Sequence, residues 1–417
     1  MGEGRAPLPT LAAAVALALG TAVSLGLARF SYAMFLPPMR ADLGWSYLTA
    51  GAMNTSNAAG YLAGALLAPA WMRSLGGRGA FLAGTAATAA FVAAHGLTTA
   101  DSALYLFRFL SGLVSAVAFV AGGLLAAQLV GASPATAGAR AAAPSAGLVL
   151  GIYYGGAGLG IVVSALLVPW LAGRAVAHAW QGGWLGLAAI GGVVTVVVAA
   201  ATRALGPAAS AGAAPGRPAS AVGTRSAEAC TGFPWRRFLP ALTAYLMFGL
   251  GYIGYMTFIV TLLREQRVPE REVIAFYALL GVAVAVSPWL WARMLQRFRG
   301  GETLALMSAL LVVATLLPVW RTDPLAVFAS GLVFGGTMLA LVASTTALVR
   351  HNLEAADWSA GITGFTIVFA IGQIVGPSGV GFIADRAGSL RAGLACSAAL
   401  LALGALVASR QKPLDRR

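Results

Sequence analysis

The chain has 417 residues, of which 59% are hydrophobic and 10% charged, yet its formal net charge is +14. A water-soluble domain would carry about 25% charged residues, so a soluble fold is excluded. The excess charge is arginine apart from Lys412, and it gathers between apolar runs, which points to membrane orientation and not to nucleic acid.

Runs of about 18 apolar residues suffice to cross a hydrocarbon core of about 30 Å, and such runs recur from end to end. They are continuous and rich in Ala, Leu, Gly and Val, without period-two alternation, so they predict helices and not barrel strands. The first, 11–37, starts like a secretory leader, with Arg5 ahead of it. Its apolar pattern continues through Phe30 and Phe35 to Leu36, too long for a cleaved leader, and predicts a retained span. Further spans are expected at 46–71, 79–96, 102–129, 145–171 and 182–202. The stretch 205–234 is rich in Ala, Gly, Pro and Ser, with Arg217, Arg225 and Glu228, and reads as a flexible linker. Spans then resume at 238–263, 272–292, 303–319, 323–349, 359–384 and 390–408. The expectation is an all-α membrane protein of twelve transmembrane helices in two pseudo-symmetric six-helix bundles. Residues 1–203 and 237–417 form the bundles and 204–236 a cytoplasmic linker.

Charge orients these spans. Seventeen Arg and Lys residues fall on the side that holds both termini, among them Arg73, Arg78, Arg203, Arg293 and Arg350. Eight fall on the other side, including Arg40, Arg264 and Arg386. That bias predicts both termini in the cytoplasm. The halves also repeat. Gly151, Gly155, Gly158 and Gly160 of the fifth span recur as Gly372, Gly376, Gly379 and Gly381 of the eleventh, always 221 residues on. Tyr32, Phe35 and Leu36 recur as Tyr255, Phe258 and Ile259, each 223 residues on. Spans so matched point the same way through the bilayer, the mark of a parallel duplication.

Several stretches then resemble the major facilitator superfamily over essentially the whole chain. Arg108-Phe-Leu-Ser-Gly112-Leu-Val-Ser-Ala116 matches the fourth-span RxxxGxxxA motif. Arg73-Ser-Leu-Gly-Gly-Arg78 is similar to the loop between spans two and three, with Met72 in place of its Asp, and Arg293-Met-Leu-Gln-Arg297 is its second-half counterpart. The fifth-span glycines resemble the antiporter motif, although Gly156 replaces its proline. Residues 28–46 with 54–69 resemble a narrower bacterial branch of permeases. The resemblance implies the major facilitator fold, a multi-pass place in a bacterial inner membrane, and a permease that rocks its two bundles about a midplane site. Arg73 and Arg78, with the glycine-rich positions Gly151, Gly155, Gly376 and Pro377, are the expected gating and packing residues.

Polar residues inside the spans are the candidates for binding. All 13 acidic residues lie in loops or near span ends, whereas Arg29 and Arg108 lie inside. A central Arg costs about 2.5–3.5 kcal/mol on insertion scales, so something must offset it. For Arg29 this is a bound substrate carboxylate or an aqueous cavity, or else Asp42, Asp101 or an outward-snorkelling pose. For Arg108 it is anion contact or proton coupling on one side, helix structure on the other. Tyr32, three residues from Arg29, is expected on the same face. Asn54, Asn57 and Tyr61 form a stripe on the second span, and Tyr252 and Tyr255 repeat the first-span pattern on the seventh. These eight residues either line the cavity or bridge helices. Tyr153, Tyr154 and Gln373 read equally as packing residues, and His95, His178 and His351 as interfacial ones.

Cys230 and Cys396 are too far apart in the span order for a metal site or a disulfide, and no cofactor is expected. HExxH and GxxxxGK are absent, so an enzyme is not expected and ATP cannot drive the protein directly. The preferred reading is a monomeric secondary transporter of a small organic anion, working by proton symport or by exchange. Proton-coupled efflux of a neutral or anionic metabolite or drug is the alternative, and a membrane receptor the remote third.

Overall fold

A computed structural model describes residues 10–131, 146–173, 176–203, 233–354 and 357–414. Most of the expected linker (204–232), Cys230 and the charges Arg5, Arg140, Arg174, Arg217, Arg225, Arg416 and Arg417 lie outside the described residues.

Among the described residues, ten helices are long and apolar enough to cross a membrane. A further 49-residue helical segment, Tyr47–His95, folds back at Gly76, whose φ of 71° and ψ of 163° are open to glycine and strained for other residues. Taken as two helices, its arms give twelve long helices among the described residues, consistent with the twelve spans expected. They are named α1 (Thr10–Leu43), α2 (47–75), α3 (77–95), α4 (Asp101–Gly131), α5 (Ala146–Ala172) and α6 (Ala179–Arg203). The second half supplies α7 (Leu239–Glu265), α8 (Glu270–Arg297), α9 (Glu302–Trp320), α10 (Pro324–Asn352), α11 (Trp358–Ala387) and α12 (Leu390–Ala408). The face where α1 begins and α12 ends is the near face; the α1–α2 turn lies on the far face.

Two features of α1 depart from the sequence expectation. It runs past Pro37 and Pro38 to Leu43, and ends only where Gly44 takes a left-handed conformation with its N–H on the Arg40 carbonyl. Within it, Ala22–Phe30 is π-helical, and Ser31 N–H reaches the Gly26 carbonyl five residues back at 2.9 Å. Hydropathy is blind to such a turn, because the apolar length of a span is the same whether the backbone bonds reach four residues back or five.

Glycines let the helices meet backbone to backbone. A Cβ on Gly26 of α1 would collide with Gly160 of α5, and one on Gly60 or Gly64 of α2 with the Phe109 or Leu113 carbonyl of α4. Gly112, the glycine of the fourth-span motif, lies against the Asn57 carbonyl. Such approaches are what draws helices together in lipid, where apolar burial gives no net gain.

The halves meet chiefly along two helix pairs, with α1 also packed on α7. In α5–α8, Gly158 abuts Gly281, and Gly155 would meet the Ala285 carbonyl at 2.8 Å. Gly151 is looser: a Cβ there would lie 3.4 Å from Pro288 and Trp289. In α2–α11, Gly51 sits on the Pro377 carbonyl and Gly381 on that of Tyr47, while a Cβ on Gly376 would meet the Leu250 carbonyl of its own half at 2.6 Å. Arg78 ties α3 to α6, donating from Nε to Thr202 Oγ1 and from Nη2 to the Ala199 carbonyl, both at 3.1 Å; Arg73 is exposed.

At the far face the halves are also fastened by polar contacts. Arg40 Nη1 pairs with Glu265 Oε1 at 3.5 Å, and the Tyr47 hydroxyl donates to the same oxygen at 2.5 Å. Asp385 accepts the first N–H groups of α2, from Tyr47 at 2.9 Å and Leu48 at 2.8 Å, where a helix N-terminus favours negative charge.

Gly26→Val should lower detergent-solubilised stability by about 1–3 kcal/mol through overpacking, read as an earlier melt. Gly379→Ala, where an added Cβ meets nothing within 4 Å, should melt at or slightly above the wild-type temperature.

Candidate functional site

The π-helical turn of α1 carries Arg29 into the junction between the halves. Its side chain is 5% exposed and has neutral partners only. Nη2 donates to Gln373 Oε1 of α11 at 2.8 Å, and the guanidinium lies 4.9 Å from the ring centre of Tyr61 on α2. Nε is enclosed with no acceptor. Gln373 Nε2 donates in turn to the Tyr252 hydroxyl of α7. The series Tyr61, Arg29, Gln373 and Tyr252 therefore crosses from one half to the other. Arg29 is close enough to both tyrosines to interact with them electrostatically.

The acidic residues that could have neutralised Arg29 are engaged elsewhere. Asp42 accepts from Trp180 Nε1 at 2.5 Å and pairs with His178 at 2.6 Å, and Asp101 accepts from Trp45 Nε1 at 2.8 Å. Among the described residues every ion pair lies at helix ends: Arg40–Glu265, His178–Asp42, Arg264–Glu270 and Arg321–Asp323.

Arg108 of α4 is placed quite differently. It is 1% exposed and donates from Nη1 to the Ala28 carbonyl at 3.0 Å and from Nη2 to Asn54 Oδ1 at 3.1 Å. Its Nε reaches the Met53 carbonyl at 3.4 Å, and its guanidinium lies 4.5 Å from the centre of the Tyr32 ring. Asn57 Nδ2 donates to the Arg108 carbonyl at 3.0 Å and to Ser111 Oγ at 3.2 Å. The Tyr32 hydroxyl donates to the Ala50 carbonyl at 2.9 Å. Arg108, Tyr32, Asn54 and Asn57 thus knot α1, α2 and α4 together. One strand leaves the knot, from Asn54 Nδ2 to Thr257 Oγ1 of α7 at 2.7 Å.

The structure brings Arg29, Tyr61 and Tyr252 together, with Arg108, Asn54, Asn57 and Tyr32 in the adjoining knot. It does not bring Tyr255 to them. That hydroxyl shares a 2.6 Å hydrogen bond with Ser330 of α10, and the ring stacks on Phe334 with centres 3.8 Å apart. Nor do Arg29 and Tyr32 share partners, as three-residue spacing predicts. The π-helical bonding before Ser31 changes the angular step, so Arg29 meets Tyr61 of α2 and Gln373 of α11 while Tyr32 meets Ala50 of α2 and Arg108 of α4. His95, expected at the interface, is 1% exposed and stacks on Trp184 at 4.7 Å. Gln373, which reads equally as a packing residue in the sequence, is the cross-half partner, and Thr257 is not among the sequence candidates. The available signal was an amide one residue beyond Gly372 in an otherwise apolar span.

Twelve helices packed through glycine and meeting around a buried cation describe a membrane carrier. Residues 21–409 match a family profile described as "Uncharacterised MFS-type transporter YbfB", so the chain belongs to that branch of the major facilitator superfamily of transporters. Solved structures share the fold. The nucleoside transporter NupG superposes with a TM-score of 0.69 at 13% identity, covering 97% of this chain and 99% of its own. A bacterial homolog of the human lysosomal transporter Spinster, in an inward-facing and unoccupied conformation, gives 0.68 at 16% identity, covering 96% and 97%. Among curated proteins none matches the chain.

The two arginines should respond unequally to removal. Arg108→Met strands the Asn54 amide oxygen and takes a charged donor from the Ala28 and Met53 carbonyls; at about 1–3 kcal/mol for a buried group left unpaired, it should melt far earlier than wild type. Arg29→Met strands only the Gln373 amide oxygen and removes an enclosed, unpartnered Nε–H, so it should melt much closer to wild type than Arg108→Met does. Thermal unfolding in detergent checks both.

Proposed function

We propose that the protein is a secondary transporter of a small organic anion, which Arg29 binds at the junction of the halves. The near face is cytoplasmic, and residues 1–203 and 237–417 are the units that rock, joined through 204–236. The observation that carries this reading is a desolvated guanidinium with no carboxylate partner among the described residues. Arginine prefers a carboxylate with two parallel hydrogen bonds, each about twice as strong as a neutral one. A substrate that displaces the Gln373 amide oxygen gains the whole Nε–Nη2 edge. Tyr61 and Tyr252, one from each half, orient the anion. The Arg108 knot supports α1 behind Arg29 and keeps Arg29 aimed at the junction.

With the near face cytoplasmic, the Arg40–Glu265 and Asp385 contacts close the outer side of the substrate path. Transport by exchange suits the composition of the spans. All 13 acidic residues lie in loops or near span ends, so no mid-span carboxylate can relay a proton, whereas swapping one anion for another keeps Arg29 neutralised at each passage.

Reconstituted vesicles test this. Internal anion should accelerate uptake of external labelled anion, and a pH gradient alone should not drive it. Arg29→Gln should weaken transport about 10–100-fold, the worth of hydrogen bonds to a charged group, with Arg29→Lys in between. A folded Arg29→Gln protein that transports anions with wild-type affinity would refute the anion site. Uptake driven by the proton gradient alone would replace exchange with symport.

A further inference from the structure

Aromatic side chains crowd both sides of Arg29, and the transport reading uses only two of them. On the first half, Tyr61 lies 6.4 Å from Phe119 of α4, and Phe119 lies 5.7 Å from Tyr154 of α5, centre to centre. On the second half, Tyr252 and Phe369 of α11 lie nearly parallel, 5.5 Å apart at 18°. Phe369 in turn stacks on Tyr245 at 4.8 Å and 17°. Arg29 joins the banks, over Tyr61 on one side and through Gln373 to Tyr252 on the other.

These rings are not simply core. Tyr154 remains 40% exposed although its ring touches those of Phe119 and Tyr153. Tyr61, Phe119 and Phe369 are partly exposed, while Tyr245 behind them is 2% exposed. A lipid-facing aromatic stripe would have no reason to converge on a guanidinium. A phenol directed at bulk lipid would also lack a polar partner, whereas the Tyr252 hydroxyl is bonded to Gln373.

Resting on the anion reading above, we propose that the substrate is an aromatic carboxylate, a planar ring bearing its carboxylate on a short arm. The carboxylate takes the Arg29 Nε–Nη2 edge. The ring lies between the two banks, against Phe119 and Tyr154 on one side and Phe369 on the other. The second bank offers near-parallel ring faces and the first offers rings tilted by 48° and 53°, so a flat guest can stack on one wall and meet the other edge to face. An aliphatic ring of equal bulk presents axial hydrogens to both walls and cannot approach as closely. Binding of a ring that touches each half also draws the banks together, which couples occupancy to closure of the site.

The test is a matched series measured by isothermal titration and thermal shift on the full-length protein in detergent. Benzoate, phenylacetate and indole-3-acetate are compared with cyclohexanecarboxylate and hexanoate, and with benzyl alcohol and benzamide. The expected result is binding of the aromatic carboxylates roughly tenfold tighter than of cyclohexanecarboxylate, about the worth of two ring contacts, with the uncharged rings silent. Phe369→Leu should shrink that preference, weakening benzoate by more than it weakens hexanoate. Equal affinity for benzoate and cyclohexanecarboxylate overturns the aromatic assignment and leaves the anion site standing. Uncharged rings that bind as tightly as benzoate overturn the anion site itself, and with it this proposal. Silence from every member of the series overturns both.

Discussion

Inside a bilayer no water stands ready to satisfy a polar group, so each one must find its partner within the protein or remain uncompensated. The two buried arginines show both outcomes of that constraint. Arg108 is surrounded by carbonyls, an amide and a ring, and it locks three helices into one unit. Arg29, in a neighbouring turn of the same bundle, has one amide oxygen and one ring and an Nε with nothing to hold. The same chemical group is structural at one address and unfulfilled at the other. The difference lies in the acceptors around each.

Backbone proximity is the other half of the design. Helices without side chains between them leave their carbonyls within reach of polar groups from a neighbour. Gly112 brings α4 against Asn57, and this is why Asn57 can donate to the Arg108 carbonyl across the helix boundary. The π-helical turn adds to this. The Phe30 carbonyl at its end accepts the Tyr277 hydroxyl of α8 at 2.5 Å, and the Ala28 carbonyl within it accepts Arg108. One irregular turn thereby receives donors from both halves of the chain.

Much of this was legible beforehand, for reasons that can be stated. The crossings were readable because apolar length is a local property of the chain, and the break at Gly76 fell between the expected second and third spans. The buried charges were readable because two arginines stand out against apolar neighbours. The partners of those charges were not readable. Gln373 lies 344 residues from Arg29, and nothing in an amide's own surroundings distinguishes a cross-half partner from a packing residue. The pairing of Arg29 with Tyr32 failed for a different reason. Spacing rules assume a constant angular step, and the π-helical turn breaks it. Tyr255 was drawn in by its symmetry with Tyr32. The symmetry is real, since each hydroxyl bonds within its own half, and that is why neither meets Arg29.

The far-face fastening has a consequence for how readily such a protein could let go. Arg40, Glu265 and Asp385 are all at least partly open to solvent. Exposed ion pairs contribute only about 0–1 kcal/mol, because water offers nearly equivalent bonds. In the transport cycle proposed above, the clasp therefore behaves like a buckle and not a weld: it holds the far face together without sinking that form into a deep well. Glycine-lined seams such as α5–α8 are where, in that cycle, the halves roll while the buckle is undone.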